Sequence, residues 1–381
     1  VPHLRFPEFS GEWKKCIIQD YGEVITGNTP PTNNAEYYNN GSYLWASPAD
    51  LGTGKKINDT KTKLSESGFK KTRIIPKGSI LVTCIGSTIG KIGMAVETMS
   101  SNQQINSIIV NEKSNNDFVY YAISRAFPRY LSEVGVQAVP ILSKSNFEKL
   151  PNYTTSIEEQ DKTGYFLNLL DERIATQNKI IEDLKKLKCA IIEKLYSKIQ
   201  GKEYSYGQLF DVVNERNKQM EYYNILSASQ EKGMVNRDDL NLDIQFERSN
   251  INTYKIVRKG DYVIHLRSFQ GGFAFSDKLG VCSPAYTILR PNSLLEYSYL
   301  SYYFTSQRFI KSLIIVTYGI RDGRSINVEE WLNMKVVIPS KEHQLHTLNV
   351  LKRIDDKVEN EEKYATCLSN QKQYLLRQMF I

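Results

Sequence analysis

The chain has 381 residues, 41% hydrophobic and 24% charged, a balance that argues against disorder and, at this length, predicts two or three domains. Its net charge of +7 favours polyanionic partners, while no apolar run reaches the roughly 18 residues of a membrane span and the amino end lacks a basic-then-apolar signal. Five scattered cysteines (Cys16, Cys84, Cys189, Cys282 and Cys367) with no Cys-x-x-Cys pair fit a reduced, cytoplasmic setting.

Taken in chain order, the first half opens with Gly27-Asn28-Thr29-Pro30. A basic stretch follows, with Lys55, Lys56, Lys61, Lys63, Lys70, Lys71 and Arg73 against only Asp59 and Glu66. β-Branched runs predict strands over Ile74–Cys84 and Ile105–Val110, and an aromatic-rich helix is expected over Asp117–Leu131, ending near Gly135. Ser156-Ile157-Glu158-Glu159 has the form of a capping box opening a long helix, with Gly201 as its terminator. The second half repeats the strand signal at Tyr262–Leu266 and Tyr286–Leu289 and the helix at Tyr297–Leu313. A second long helix starts after Pro339 with Ser340 as N-cap. Because the chain begins at Val1 and not at methionine, a short leader is expected to precede it.

Sliding the sequence against itself shows a diverged duplication. At an offset of 184, Ser156, Glu158 and Gln160 meet Ser340, Glu342 and Gln344, and Phe147 meets Trp331. Lys77-Gly78 meets Lys259-Gly260 at an offset of 182. Each long helix carries a heptad seam. The first reads Leu167, Leu170, Ile174, Gln177, Ile181, Leu184, Lys188, Ile191, Leu195. The second reads Leu351, Ile354, Val358, Glu361, Ala365, Leu368, Lys372, Leu375, Met379, with its polar interruptions at the same places. Helices of about 40 residues span about 60 Å. Pairing with each other as an antiparallel coiled coil is the simplest way to cover both seams; packing on its own domain or on another chain is the alternative for each. The expected fold is therefore α+β: two similar globular recognition domains (1–155 and 201–339) and two long helices (156–200 and 340–381), related by a pseudo-two-fold repeat.

The loops of the two halves differ. The first half offers the Gly27–Pro30 turn and the lysine-rich stretch, which suits phosphate neutralisation or is simply a solvated loop. The second offers Arg267-Ser268, Tyr318 and Arg321-Asp322-Gly323-Arg324-Ser325, and arginine can read guanine edges with two parallel hydrogen bonds. One scaffold with unlike loops implies two different half-sites. The candidate DNA-contacting residues are Thr29, Lys91, Gln103 and Gln104, with Lys70, Lys71 and Arg73 on phosphates, and Arg267, Ser268, Tyr318, Arg321 and Arg324 in the second half.

These features together resemble the specificity subunits of type I restriction-modification enzymes. The resemblance rests on the order domain, helix, domain, helix; on Gly27-x-Thr29-Pro30 and the Lys77-Gly78 turn; on Gly86 and Gly90-Lys91; on Asn102-Gln103; and on the acidic-Gln opening Glu158-Glu159-Gln160. It implies a non-catalytic subunit that binds double-stranded DNA at a split, asymmetric site and docks two methyltransferase subunits, which endonuclease/translocase subunits then join. S-adenosylmethionine, ATP and Mg would belong to those partners and no cofactor to this chain. Thr155 stands where a proline is usual, His343 replaces the second Glu, and the second half has no Gly-x-Thr-Pro element.

Catalytic parts are missing. Asp50–Lys55 looks like a glycine loop, but Pro48 interrupts the strand before it. Gly86–Lys91 falls one residue short of a phosphate loop and has Ile92 at the Ser/Thr position. His343 and His346 lack a third metal ligand of suitable spacing, and Glu12-Trp13-Lys14 lacks the preceding Pro-Asp of a nuclease. Two rival readings are a self-contained methyltransferase or nuclease and a coiled-coil adaptor without a DNA role.

Overall fold

A computed structural model describes residues 1–133, 140–229, 232–240, 248–265, 272–318 and 325–381. The chain divides into two compact units, Val1–Asn178 with Lys363–Ile381, and Lys179–Glu362. Both long helices, Ile157–Ser197 and Lys341–Met379, contribute to each unit. Among the described residues no helix is long and apolar enough to cross a membrane.

In the first unit a five-stranded sheet runs in the order Gly22–Thr26, Ile105–Val110, Ile80–Thr83, Ile92–Ala95, Lys56–Ile57. Only the last pair is parallel. The expected Ile74–Cys84 strand is shorter, because Pro76 and the Lys77-Gly78 turn, with Gly78 at φ +86°, bend the chain before Ile80. The helix Asn116–Glu133 buries Phe118, Tyr121, Ile123 and Phe127 against Ile80, Val82 and Ile108. The end of the second long helix adds Leu375, Leu376, Met379 and Phe380 to that same core. A three-stranded sheet, Thr62–Leu64, Tyr43–Ala46 and Ser100–Ser101, covers a smaller core around Leu44, Leu51 and Met99.

The second unit repeats the plan within itself. Its four-stranded sheet runs Phe210–Val213, Thr287–Pro291, Tyr262–Ile264, Phe273–Phe275, the order of the first four strands of the other sheet. Lys202–Ser205 pairs with Lys335–Ile338 as Lys14–Ile17 pairs with Pro151–Thr154. Gly260, at φ +94°, makes the matching Lys-Gly turn. Phe147 and Trp331 are each fully buried in their own core. The expected helix Tyr297–Leu313 is instead two, Tyr299–Tyr303 and Gln307–Ser312. The hydroxyls of Thr305 and Ser306 donate back to the Tyr302 and Tyr303 carbonyls, and Ser306 Oγ caps Phe309 N–H, so the chain restarts a helix there.

All eighteen seam positions of the two heptad strings are buried or half-buried. In the first unit Asp171 pairs with Lys372 and Arg173 with Tyr364. In the second, Lys185 pairs with Glu362 and Lys188 with Asp355. In both, partners on one helix descend as those on the other rise, so the helices pair antiparallel. The first helix ends at Ser197 and not at Gly201, which serves another need: a Cβ there would lie 2.2 Å from the Ile338 carbonyl oxygen. The capping box is half made. Ser156 Oγ accepts from Glu159 N–H at 3.4 Å, while the Glu159 carboxylate turns to Arg5, Trp13 and Thr155.

The Gln of the acidic-Gln motif is a clip built twice. Gln160 Oε1 accepts from Asn115 N–H at 3.0 Å and its Nε2 donates to the Thr155 carbonyl at 2.9 Å. Gln344 Oε1 accepts from Glu296 N–H at 2.7 Å and its Nε2 donates to the Pro339 carbonyl at 3.1 Å. Both side chains are buried. Each joins a long helix to the strand before it and to the loop that leads into the domain's helix.

Candidate nucleic-acid interface

In the first unit the candidate site is organised by Asn28, which sequence reasoning left out of the contact set. Its Nδ2 donates to the Lys71 carbonyl at 2.9 Å, and its Oδ1 accepts from Arg73 N–H at 2.8 Å. Its carbonyl accepts from Trp45 Nε1 at 3.2 Å and its own N–H donates to the Ser101 carbonyl. One side chain thus ties the Gly27–Pro30 turn to the basic segment, and its backbone ties the turn to two strands of the three-stranded sheet. The only hint in the sequence is that asparagine readily bridges turn backbones. Gly27 permits the approach, since a Cβ would lie 2.2–2.3 Å from atoms of Ser101 and Asn102.

On this frame Thr29 Oγ1 donates to Gln103 Oε1 at 2.5 Å. With its oxygen engaged, Gln103 keeps its Nε2 donors without a partner among the described residues and exposed, a form suited to a base-edge or phosphate acceptor. Arg73 Nη1 donates to the Thr26 carbonyl at 2.6 Å, which fixes the guanidinium beside the turn. Lys71 is exposed and has no carboxylate partner among the described residues. Thr29, Gln103, Lys71 and Arg73 therefore belong to one surface.

The other first-half candidates stand apart. Lys70 is tied to Glu66 at 2.6 Å on its own helical turn, and this hydrogen bond raises its pKa while lowering that of Glu66. Gln104 turns to Asn102, accepting from its Nδ2 at 3.1 Å, and its carbonyl braces Cys84 N–H. The stem of Lys91 runs beside Gly52, where a Cβ would lie 3.1 Å from its Cγ.

The basic stretch is also less free than its composition suggests. Lys63 pairs with Asp59, and Lys56 lies 3.6 Å from Glu172. Lys55 is not a surface lysine: it is 7% exposed, with Nζ 2.5 Å from Asp117 Oδ1 and 2.9 Å from Asn168 Oδ1. Its Nζ also stands 4.5 Å from the centre of the Tyr121 ring. Burial lowers its pKa, against the pull of Asp117.

In the second unit Tyr318 contributes backbone pairing with Ser325. Arg267, Ser268, Arg321 and Arg324 lie outside the described residues.

Comparison with known proteins gives these surfaces a context. Residues 10–186 match the family of type I restriction modification DNA specificity domains. The chain is 32% identical over 151 residues to the Type I restriction enzyme HindI specificity subunit of Haemophilus influenzae, covering 38% of this chain and 32% of that protein. This match thus spans about a third of the relative's length. It is 24% identical over 393 residues to the Type I restriction enzyme MjaVIII specificity subunit of Methanocaldococcus jannaschii, covering 94% of this chain and 89% of the relative. The fold is similar to the crystal structure of a type I restriction-modification system S subunit from M. genitalium, with a TM-score of 0.58 and 17% identity over 100% of this chain and 99% of that one.

Proposed function

We propose that the chain, whose residues 10–186 match the type I restriction modification DNA specificity domain, is a specificity subunit of that class and reads a bipartite, asymmetric target in double-stranded DNA. Residues 1–155 take one half-site and residues 201–339 the other, while the helices over 156–200 and 340–381 dock two methyltransferase subunits. Endonuclease/translocase subunits join through these, and S-adenosylmethionine, ATP and Mg act on the partners. The chain itself positions and does not catalyse.

The observation that carries this reading is the Asn28-centred surface: a turn, a glutamine amide and two basic side chains with no carboxylate partner among the described residues, held on a scaffold whose sheet order recurs in the second unit. Thr29, Gln103, Lys71 and Arg73 are the proposed first-half contacts. Lys70, Lys91 and Gln104 are assigned flanking roles, and Arg267, Ser268, Tyr318, Arg321 and Arg324 are the proposed second-half contacts. Mapping methylated adenines in the source genome tests the proposal. Two short conserved blocks separated by a fixed gap are expected; one continuous motif would overturn it.

A further inference from the structure

We propose that Lys55 is a positioning residue that sets the angle at which the first recognition domain is held on the long helices, and thereby narrows the gap between half-sites that the protein accepts. The inference rests on the split-site reading above.

Lys55 begins on the recognition sheet. Its carbonyl accepts from Met94 N–H at 2.7 Å, and the next residues, Lys56 and Ile57, pair with Met94 and Ala95. Its side chain then leaves the sheet, crosses the Tyr121 ring and ends between Asp117 on the domain's helix and Asn168 on the first long helix. Tyr121 Oη donates to Asp171 Oδ2 at 2.6 Å, and Lys372 of the second long helix closes on Asp171 Oδ1 at 2.5 Å. Sheet, domain helix and both long helices thus meet within one charge-balanced cluster of two lysines and two aspartates.

Position along the helix is what turns this tie into an angle. The domain already touches the first long helix at the Gln160 clip and at Gly164, where a Cβ would lie 2.7 Å from Asn115 Oδ1. Those two contacts lie close together near the start of the helix. The Lys55 bond to Asn168, about 12 Å further along from Gln160, and the Tyr121 bond to Asp171 beyond it lengthen the attachment and so fix its direction. The segment leading to Lys55 also supports the candidate site: Leu51 is buried in the small core with Leu44 and Ala46, and Trp45 of the same strand as these two holds the Asn28 carbonyl. In the second unit Tyr302, Asp355 and Lys188 repeat the Tyr–Asp–Lys part.

A neutral isostere, Lys55→Met, keeps the apolar stem but leaves Asp117 without its cation. Lys55→Met with Asp117→Asn removes the partly buried pair as a unit, which avoids a lone, partly desolvated charge; Asn168→Ala cuts the bond from Lys55 to the long helix, together with the exposed Asn168–Glu172 bond within that helix. The test uses the full chain assembled with its methyltransferase subunits and a pool of duplexes randomised over the recognition span, selected and sequenced. The wild type is expected to enrich two blocks at one gap length. The variants are expected to enrich the same two blocks, with the share of pool members at neighbouring gap lengths rising several-fold. If Lys55→Met does not fold, the double variant and Asn168→Ala carry the decision. A folded variant that selects the wild-type gap distribution overturns the proposal, whereas a wild type that selects a single continuous block overturns the split-site reading instead.

Discussion

Lys372 on the second long helix stands 2.5 Å from Asp171 on the first, and the same carboxylate accepts from Tyr121 at 2.6 Å. The other half repeats it, with the lysine and aspartate at the 184-residue offset and the tyrosine at 181: Lys188 pairs with Asp355, which accepts from Tyr302 at 2.6 Å. Each lysine is one of the two polar interruptions of its heptad seam, and a carboxylate on the opposite helix answers it. A polar tie in an apolar seam costs stability but favours one register. Lys372→Met should strand Asp171 with Tyr121 alone and lower stability by about 1–3 kcal/mol, read from urea unfolding. Adding Asp171→Asn should recover part of the loss; a cost for Lys372→Met as small as that of an exposed surface pair would rule out this role.

The Gln160 and Gln344 clips invite a parallel experiment. Truncating either to alanine orphans a half-buried backbone N–H, of Asn115 or Glu296, as well as the carbonyl beneath it. Each substitution should cost about 1–3 kcal/mol, measured by thermal or urea unfolding. Similar penalties in the two halves are expected from the similar bonds.

Glu159 supplies a pH signature. Burial opposes its charge, but hydrogen bonds from Arg5, Thr155 and Trp13 outweigh that penalty and hold the carboxyl below its ordinary range. A depressed folded-state pKa means that the stabilisation is complete above the unfolded pKa and is lost as pH falls through the folded one. Stability should therefore drop on acidification below the ordinary glutamate range, and Glu159→Gln should flatten that part of the profile while lowering stability at neutral pH. An unchanged acid limb in the variant would show that Glu159 is not its source.

Much of this architecture was legible because it depends on periodicity. Seam residues recur at three and four, the halves recur at 184, and burial follows both patterns along the whole length of each long helix. The departures come from tertiary partners that a linear reading does not see. Glu159 does not close its capping box because Arg5 and Trp13, from the segment preceding the first strand, reach it; at the equivalent place stands His343, exposed. Lys55 reads as one of seven basic residues in a charged stretch, yet Asp117 and Asn168, distant in sequence, make its burial tolerable. The resemblance through Gly27-x-Thr29-Pro30 drew attention to the turn but passed over its middle residue, Asn28, whose bonds depend on Lys71, Arg73 and Trp45 arriving from other segments.

The first-half surface separates three lysine and glutamine roles that binding measurements can distinguish. Lys71 has no carboxylate partner among the described residues, so Lys71→Ala should weaken DNA binding about equally across sequences and reduce the slope of log affinity against log salt by about 1. Lys70 is already held by Glu66, so Lys70→Ala should change both quantities less, because any phosphate contact must first break that pair. Gln103 offers an oriented amide, with Thr29 fixing its oxygen; Gln103→Ala should cost about 1–3 kcal/mol on the true target, relax preference at one base position and leave the salt slope unchanged. Thr29→Val, which removes the donor but keeps the shape, should give a weaker form of the same phenotype. The measurement is fluorescence-anisotropy titration of the complex with methyltransferase subunits, at several salt concentrations, on the mapped target and on single-base variants of it. If Gln103→Ala instead lowers the salt slope with no change in base preference, the amide contacts a phosphate and base reading in this half falls to other residues.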